Sequence, residues 1–285
     1  MKPIFSAWNM QLDVTSLCDK HCIYCSRYNQ HLRPDQRYNM DLDYFDSVLT
    51  GLKNWPAVIG IIGGEPLLHP QFIEICDIMQ KHFPKEKYQL FTSHKVNFEK
   101  YRKKIDETFA YLAYNEHNEQ QKELCKFQPL TVAIEEAVKD ENLRKSLIND
   151  CWLQQRWCPS VNNKGGFFCE VAAAMDTILE GPGGYDITDQ NWWNKNPEQF
   201  QDQVDRYCHK CGMAIPMERE LIKNTKEKFT PKLLQEFKDK GLKRLSENEV
   251  EVFDKEITKK QIVDKLNSGE WQPWKNRGDL PNGEA

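Results

Sequence analysis

The sequence predicts an α/β protein: a parallel sheet in the N-terminal half, a small cysteine-rich appendage behind it, and a charged helical tail. Three observations point there. Short β-branched runs alternate with amphipathic helical runs through the first half of the chain, cysteines then recur around a glycine-rich turn, and after Pro216 the composition shifts to Lys and Glu. Repeated strand–helix–strand units require right-handed crossovers and a parallel sheet. The expected segments are 1–135, 136–218 and 219–285, and a chain of 285 residues has room for one large domain with an appendage.

The elements follow in order. Asn9 to Thr15 (NMQLDVT), Ala57 to Ile62 (AVIGII), Tyr88 to Ser93 (YQLFTS) and Phe109 to Tyr114 (FAYLAY) have strand composition. A fifth strand is expected at Pro129 to Ile134 (PLTVAI), where β-branched residues cluster. Between them, DYFDSVLTGLKNW and HPQFIEICDIMQKHF space their apolar residues by three and four, which is helical. EEAVKDENLRKSLINDCWLQQRW is a polar helix or helix pair. CPSVNNKGGFFC has the Asn-Asn-Lys-Gly-Gly centre of a hairpin. EGPGGYD is a loop, NPEQFQDQVDRYC a helix, and ERELIKNTKEKFTPKLLQEFKDKG reads as solvated helices.

Composition narrows the class. With 39% hydrophobic and 29% charged residues the chain is expected to be soluble and globular, and no apolar run approaches the roughly 20 residues that span a bilayer. MKPIFSAWNM lacks a basic n-region and a long apolar stretch, so a cytoplasmic location is expected. In that reducing setting ten cysteines point to metal or redox chemistry rather than disulfides. A net charge of −4 gives no general attraction to nucleic acid, although a local basic patch would escape that argument.

Chemistry concentrates at strand ends in parallel sheets. LDVTSLCDKHCIYCSR places Cys18, Cys22 and Cys25 directly behind the first strand, with Tyr24 before the last thiol. Three close thiolates suit an iron–sulfur cluster, or zinc with His21 or His31 completing the set. GIIGGEPLLHP places Gly63, Gly64, Glu65 and Pro66 at the end of the second strand, where paired glycines let backbone approach a ligand.

Together these two motifs resemble the radical S-adenosylmethionine (SAM) superfamily over roughly residues 9–135. The resemblance implies a partial (β/α) barrel. It implies that Cys18, Cys22 and Cys25 hold a 4Fe–4S cluster whose open iron chelates SAM, and that Gly63–Pro66 contacts the methionine amino group. Thr92 and Ser93 after the third strand, and Asn115 and Glu116 after the fourth, stand where the family places polar groups for the ribose and carboxylate. TSH departs from the family's Thr-Asn-Gly. The implied chemistry is reductive cleavage of SAM to a 5′-deoxyadenosyl radical that abstracts hydrogen from carbon.

Cys158, Cys169, Cys208 and Cys211 form a second set, a Cys-x10-Cys hairpin and a Cys-x2-Cys knuckle, with geometry for zinc or iron–sulfur. Behind a radical SAM core it resembles the twitch form of the SPASM domain, which implies one auxiliary 4Fe–4S cluster. Cys151 either replaces one of these ligands, lies near substrate, or is a buried thiol. Cys76 and Cys125 read as core, and His209 as exposed. The resemblance extends to an aminocyclitol-oxidising dehydrogenase, so the expected substrate is a small polar molecule such as a sugar or aminocyclitol, undergoing oxidation or rearrangement. The expected electron donor is a flavodoxin or ferredoxin. A ribosomal peptide, a nucleotide or nucleobase, and a structural zinc protein are the competing readings. Trp192, Trp193, Trp271 and Trp274 either stack on a sugar or pack the appendage.

Overall fold

In NMQLDVT polar and apolar residues alternate, yet every residue of the strand they form is buried. This strand, β1 (Asn9–Thr15), is the centre of the molecule in a computed structural model that describes residues 1–93, 95–114, 126–156, 159–221 and 226–271. Chain order continues through α1 (Leu42–Gly51), β2 (Val58–Gly63), α2 (Phe72–His82), β3 (Tyr88–Thr92), α3 (Phe98–Thr108) and β4 (Tyr111–Tyr114). Next come β5 (Lys126–Phe127), α4 (Ile134–Ala137), α5 (Glu141–Asn149), α6 (Trp152–Arg156), β6 (Ser160–Asn162), β7 (Gly165–Phe167), α7 (Glu170–Ile178) and α8 (Gln201–Tyr207). The tail holds β8 (Glu220–Leu221), β9 (Glu227–Phe229), α9 (Pro231–Asp239), β10 (Val250–Val252) and α10 (Lys259–Asn267).

The main sheet has six strands in the order β4-β3-β2-β1-β6-β7. All its pairs are parallel except the β6–β7 hairpin, so the chain is mixed α/β around a mostly parallel sheet. The predicted hairpin therefore forms, and β6 pairs with β1 through Gln11 and Leu12. One hydrophobic core runs from Ile4 to Val250. Met10, Leu12 and Val14 of β1 belong to it, each contributing about 1.5–3 kcal/mol by burial. The opposite face of β1 carries Asn9, Gln11, Asp13 and Thr15, all buried. A buried polar face must be hydrogen-bonded, and here it sets up the chemistry described below.

Two expectations are corrected. Pro129 to Ile134 is not a strand: Val132 N–H closes a turn on the Pro129 carbonyl, and Gly212 N–H takes the Leu130 carbonyl. Its apolar side chains are buried between the main core and a small second core of Val132, Ile134, Ile215 and Ile262. Tertiary burial thus overrides β propensity. The tail is not helical throughout, because β9 pairs in parallel with β10 and buries Glu227 and Phe229. Among the described residues no helix is long and apolar enough to cross a membrane.

Candidate metal centres

Cys18, Cys22 and Cys25 lie in the loop leaving the C-terminal end of β1, each half-buried. Burial pushes all three thiols up, Cys18 to about 12, and Cys22 is further opposed by Cys25 and Cys18. Burial opposes ionisation of all three thiols, and a bound metal would displace their protons. The all-sulfur donor set fits a soft metal or an iron–sulfur cluster. His31 cannot complete a zinc site, since Nδ1 bonds the Lys243 carbonyl at 2.8 Å and Nε2 bonds Glu227 at 3.0 Å. Among the described residues, no group of three or more His, Cys, Asp or Glu side chains converges tightly enough for a single metal ion.

The glycine motif lies directly against this loop. Gly64 N–H donates to the Thr15 carbonyl at 2.7 Å and Glu65 N–H to the Leu17 carbonyl at 2.6 Å. A Cβ at Gly64 would stand 2.0 Å from the Leu17 oxygen, and Gly63 has φ +135°, so neither position accepts a side chain. Glu65 is fully buried, and its carboxylate accepts from Thr92 Oγ1 (2.8 Å), Ser93 N (2.7 Å) and Ser93 Oγ (2.6 Å). Pro66 opens a short 3-10 turn whose Leu67 N–H also reaches Glu65. Structure thus brings Gly63, Gly64, Glu65, Pro66, Thr92 and Ser93 together behind Cys18. Asn115 and Glu116 lie outside the described residues.

Tyr24 takes the left-handed conformation, φ +52°, between the second and third thiols, and its ring is buried. The tail holds it from two sides. Its N–H donates to Glu227 at 3.1 Å, and its hydroxyl accepts from Lys228 N–H at 2.9 Å. Glu227 also accepts from Gln30 Nε2 at 3.2 Å and from His31. Both ring nitrogens of His31 are thus held by oxygen partners, Nε2 by Glu227.

Cys169 caps the start of α7, just after β7, while Cys208 and Cys211 enclose a 3-10 turn after α8. Cys151 joins them: Cys151, Cys169, Cys208 and Cys211 line one apolar cavity of about 440 Å³, counting its mouth, with Phe168, Met175 and Met213. Burial pushes Cys151 up to about 11 and Cys208 and Cys211 well above the usual thiol range, with the neighbouring cysteines adding to each shift. Cys158, Cys125 and Trp274 lie outside the described residues. Cys76 is buried in the main core. Trp192 and Trp193 are core residues, with Trp193 Nε1 donating to the Gly51 carbonyl at 3.1 Å, so they pack rather than present rings to a ligand.

Arg27 ties the two thiol regions together. Two residues past Cys25, it donates to Asp13 at 2.7 Å and to Gln11 on the polar face of β1, and to Glu170, next to Cys169, at 2.8 Å. All are buried, and burial raises the Asp13 carboxyl despite Arg27. Sequence reasoning missed Arg27, Asp13, Glu170 and Glu227. The signal for Asp13 was present: polar residues alternating through a central strand of a parallel sheet, where both faces are normally apolar.

No family model matches this chain, and no curated protein matches it. Among solved structures it is similar to BtrN in complex with AdoMet and 2-DOIA, at 14% identity and a TM-score of 0.46, over 76% of this chain and 92% of that one. Selenomethionine BtrN in an open conformation gives 12% identity and a TM-score of 0.44, over 76% and 97% of the two chains. At TM-scores below 0.5 no function follows from either.

Proposed function

We propose that the chain is a radical SAM oxidoreductase or isomerase acting on a small polar molecule such as a sugar or aminocyclitol. The observation that carries this reading is the packing of Gly63–Pro66 on the Thr15–Leu17 backbone that leads into Cys18, Cys22 and Cys25. Neither motif is specific alone; their adjacency at the ends of β1 and β2 is. When bound, a 4Fe–4S cluster on these thiols would supply the electron that cleaves SAM, and a flavodoxin or ferredoxin would reload it.

The protein's own residues do the rest. Gly63 and Gly64 keep the β2 loop close enough to present backbone groups. Glu65, fixed by Thr92 and Ser93, places a buried carboxylate beside Cys18, suited to an ammonium group. The second thiol set is read as an auxiliary cluster site held by Cys169, Cys208 and Cys211 with either Cys158 or Cys151, the last of which shares their cavity. With four thiolates bound such a cluster has no open iron, so its role is electron transfer or support.

Two experiments test this. Replacing Cys18, Cys22 and Cys25 together with Ala is expected to abolish 5′-deoxyadenosine formation under reducing, anoxic conditions and to leave the second set of iron and sulfide in place. Continued SAM cleavage would refute the assignment. For the second set, iron is counted in separate Cys151→Ala and Cys158→Ala variants; loss from one of them identifies the fourth ligand, and iron unchanged in both refutes a four-thiolate cluster there. Zinc instead of iron at the first set would return the chain to the structural reading, and zinc at the second set would remove its electron-transfer role.

A further inference from the structure

Tyr28, three residues past Cys25, is fully buried, and its hydroxyl has no hydrogen-bond partner among the described residues. Buried polar groups are almost always paired, so an orphan of this kind asks for an acceptor that binds later. The backbone beneath it is strained: φ is +52°, a left-handed conformation that bulky side chains rarely adopt. It is pinned there, since Tyr28 N–H donates to the Cys25 carbonyl and the Tyr28 carbonyl accepts from His31 N–H, each at 2.8 Å. The ring meets Phe237 edge-on at 5.8 Å and lies 6.2 Å from His31. Loop and packing together fix where the hydroxyl points.

Its surroundings say what the acceptor is. Burial raises the hydroxyl pKa well above the ordinary tyrosine value, and after burial the strongest influence is Cys211, ahead of Glu227, Cys169 and Cys25. The group therefore stays an O–H donor, and it stands between the two thiol sets. Packing agrees independently: α9 lays Phe237 on Tyr28 and pairs Glu236 with Lys210, inside the turn between Cys208 and Cys211. The carboxylate of Glu227 serves Tyr24, Gln30 and His31 and does not bond the Tyr28 hydroxyl. What remains nearby is sulfur. A neutral thiol is a weak acceptor, whereas the sulfurs of a bound iron–sulfur cluster are charged and take hydrogen bonds that tune its potential.

We propose that the Tyr28 hydroxyl donates a hydrogen bond to sulfur of the auxiliary centre at Cys169, Cys208 and Cys211, and thereby raises that centre's reduction potential. The inference rests on the reading of the second thiol set as an iron–sulfur site and deepens it. A donor to sulfur stabilises the more negative, reduced state, so the centre takes up one electron more readily. The tyrosine is neither oxidised nor deprotonated; it contributes the hydrogen bond alone. Because Tyr28 belongs to the loop of the first centre, that loop also sets how well the second accepts an electron.

Tyr28→Phe deletes only the orphan oxygen, so full iron and sulfide content is expected to be kept. Both centres are followed by an EPR-monitored reductive titration of the anaerobically purified holoprotein. The triple Cys18→Ala, Cys22→Ala, Cys25→Ala variant identifies which signal is the second. Tyr28→Phe is expected to make reduction of the second centre about tenfold less favourable, the factor of one hydrogen bond, which is about 59 mV for a one-electron couple. The first centre should be unmoved. ENDOR of the reduced second centre is expected to show an exchangeable proton in the unmutated protein that Tyr28→Phe lacks. An unchanged potential, a proton that persists in the variant, a shift confined to the first centre, or zinc at the second set would each overturn the proposal. Failure of the radical reading is seen separately, as absence of 5′-deoxyadenosine from the unmutated holoprotein while the second centre's signal is present.

Discussion

Single atoms at two residues decide how the loops behind the sheet sit. A methyl group on Gly64 has no room, since the Leu17 carbonyl oxygen occupies its place at 2.0 Å and is backbone. Gly64→Ala is therefore expected to cost about 3 kcal/mol, read as a lower denaturant midpoint at unchanged slope. This differs from what the motif alone suggests, where the glycine is spared for the ligand; the nearer constraint is the chain itself. His69, at the end of the same motif, is buried and neutral: Nε2–H donates to the Met40 carbonyl and Nδ1 accepts from Gln71 N–H, each at 3.1 Å. Burial lowers its pKa below the ordinary 6.5. The unfolded chain then binds the extra proton more readily, so the contribution is present above pH ~6.5 and lost as pH falls through the lower folded value. Thermal unfolding on either side of that pH is expected to show the loss, and His69→Gln to flatten it.

Among the elements, β9 matters more than its three residues suggest. It lies in a Lys/Glu-rich stretch whose composition reads as solvated helix, yet it carries Glu227 into the first cysteine loop. Glu227→Ala would leave the Tyr24 N–H, the Gln30 amide and the His31 ring without their acceptor. It is expected to cost about 3 kcal/mol or more, since each buried group left unsatisfied costs about 1–3 kcal/mol, and to lower iron retention at Cys18, Cys22 and Cys25. Glu227→Gln keeps an oxygen for Tyr24 N–H and should be milder on both counts, read by denaturation and iron analysis. The contrast shows what was legible. β1, the helices α1 and α2 and the β6–β7 hairpin follow from local pattern, because periodicity and turn chemistry are properties of neighbours in sequence. The two cysteine motifs were legible for the same reason. Glu227, Arg27 and Cys151 act through partners far along the chain, and PLTVAI lost its strand to packing; no local pattern encodes either.

Across the whole molecule, Arg27 is the side chain that joins β1, the first thiol loop and the start of α7. Arg27→Met would leave Asp13 and Glu170 buried without their counter-charge and is expected to cost about 3–5 kcal/mol. Adding Asp13→Asn and Glu170→Gln to that variant is expected to recover most of the loss, measured by chemical denaturation. The sheet order carries a further consequence. β1 pairs with β6, and its loop is held by Glu227 and by Lys243, whose N–H donates to the His31 carbonyl at 2.9 Å. These contacts are long-range, and long-range contacts form late. A chain emerging from the ribosome therefore exposes Cys18, Cys22 and Cys25 long before anything can hold their loop in shape. The shape of that loop belongs to the finished polypeptide, and until then three neighbouring thiols stand open to oxidation.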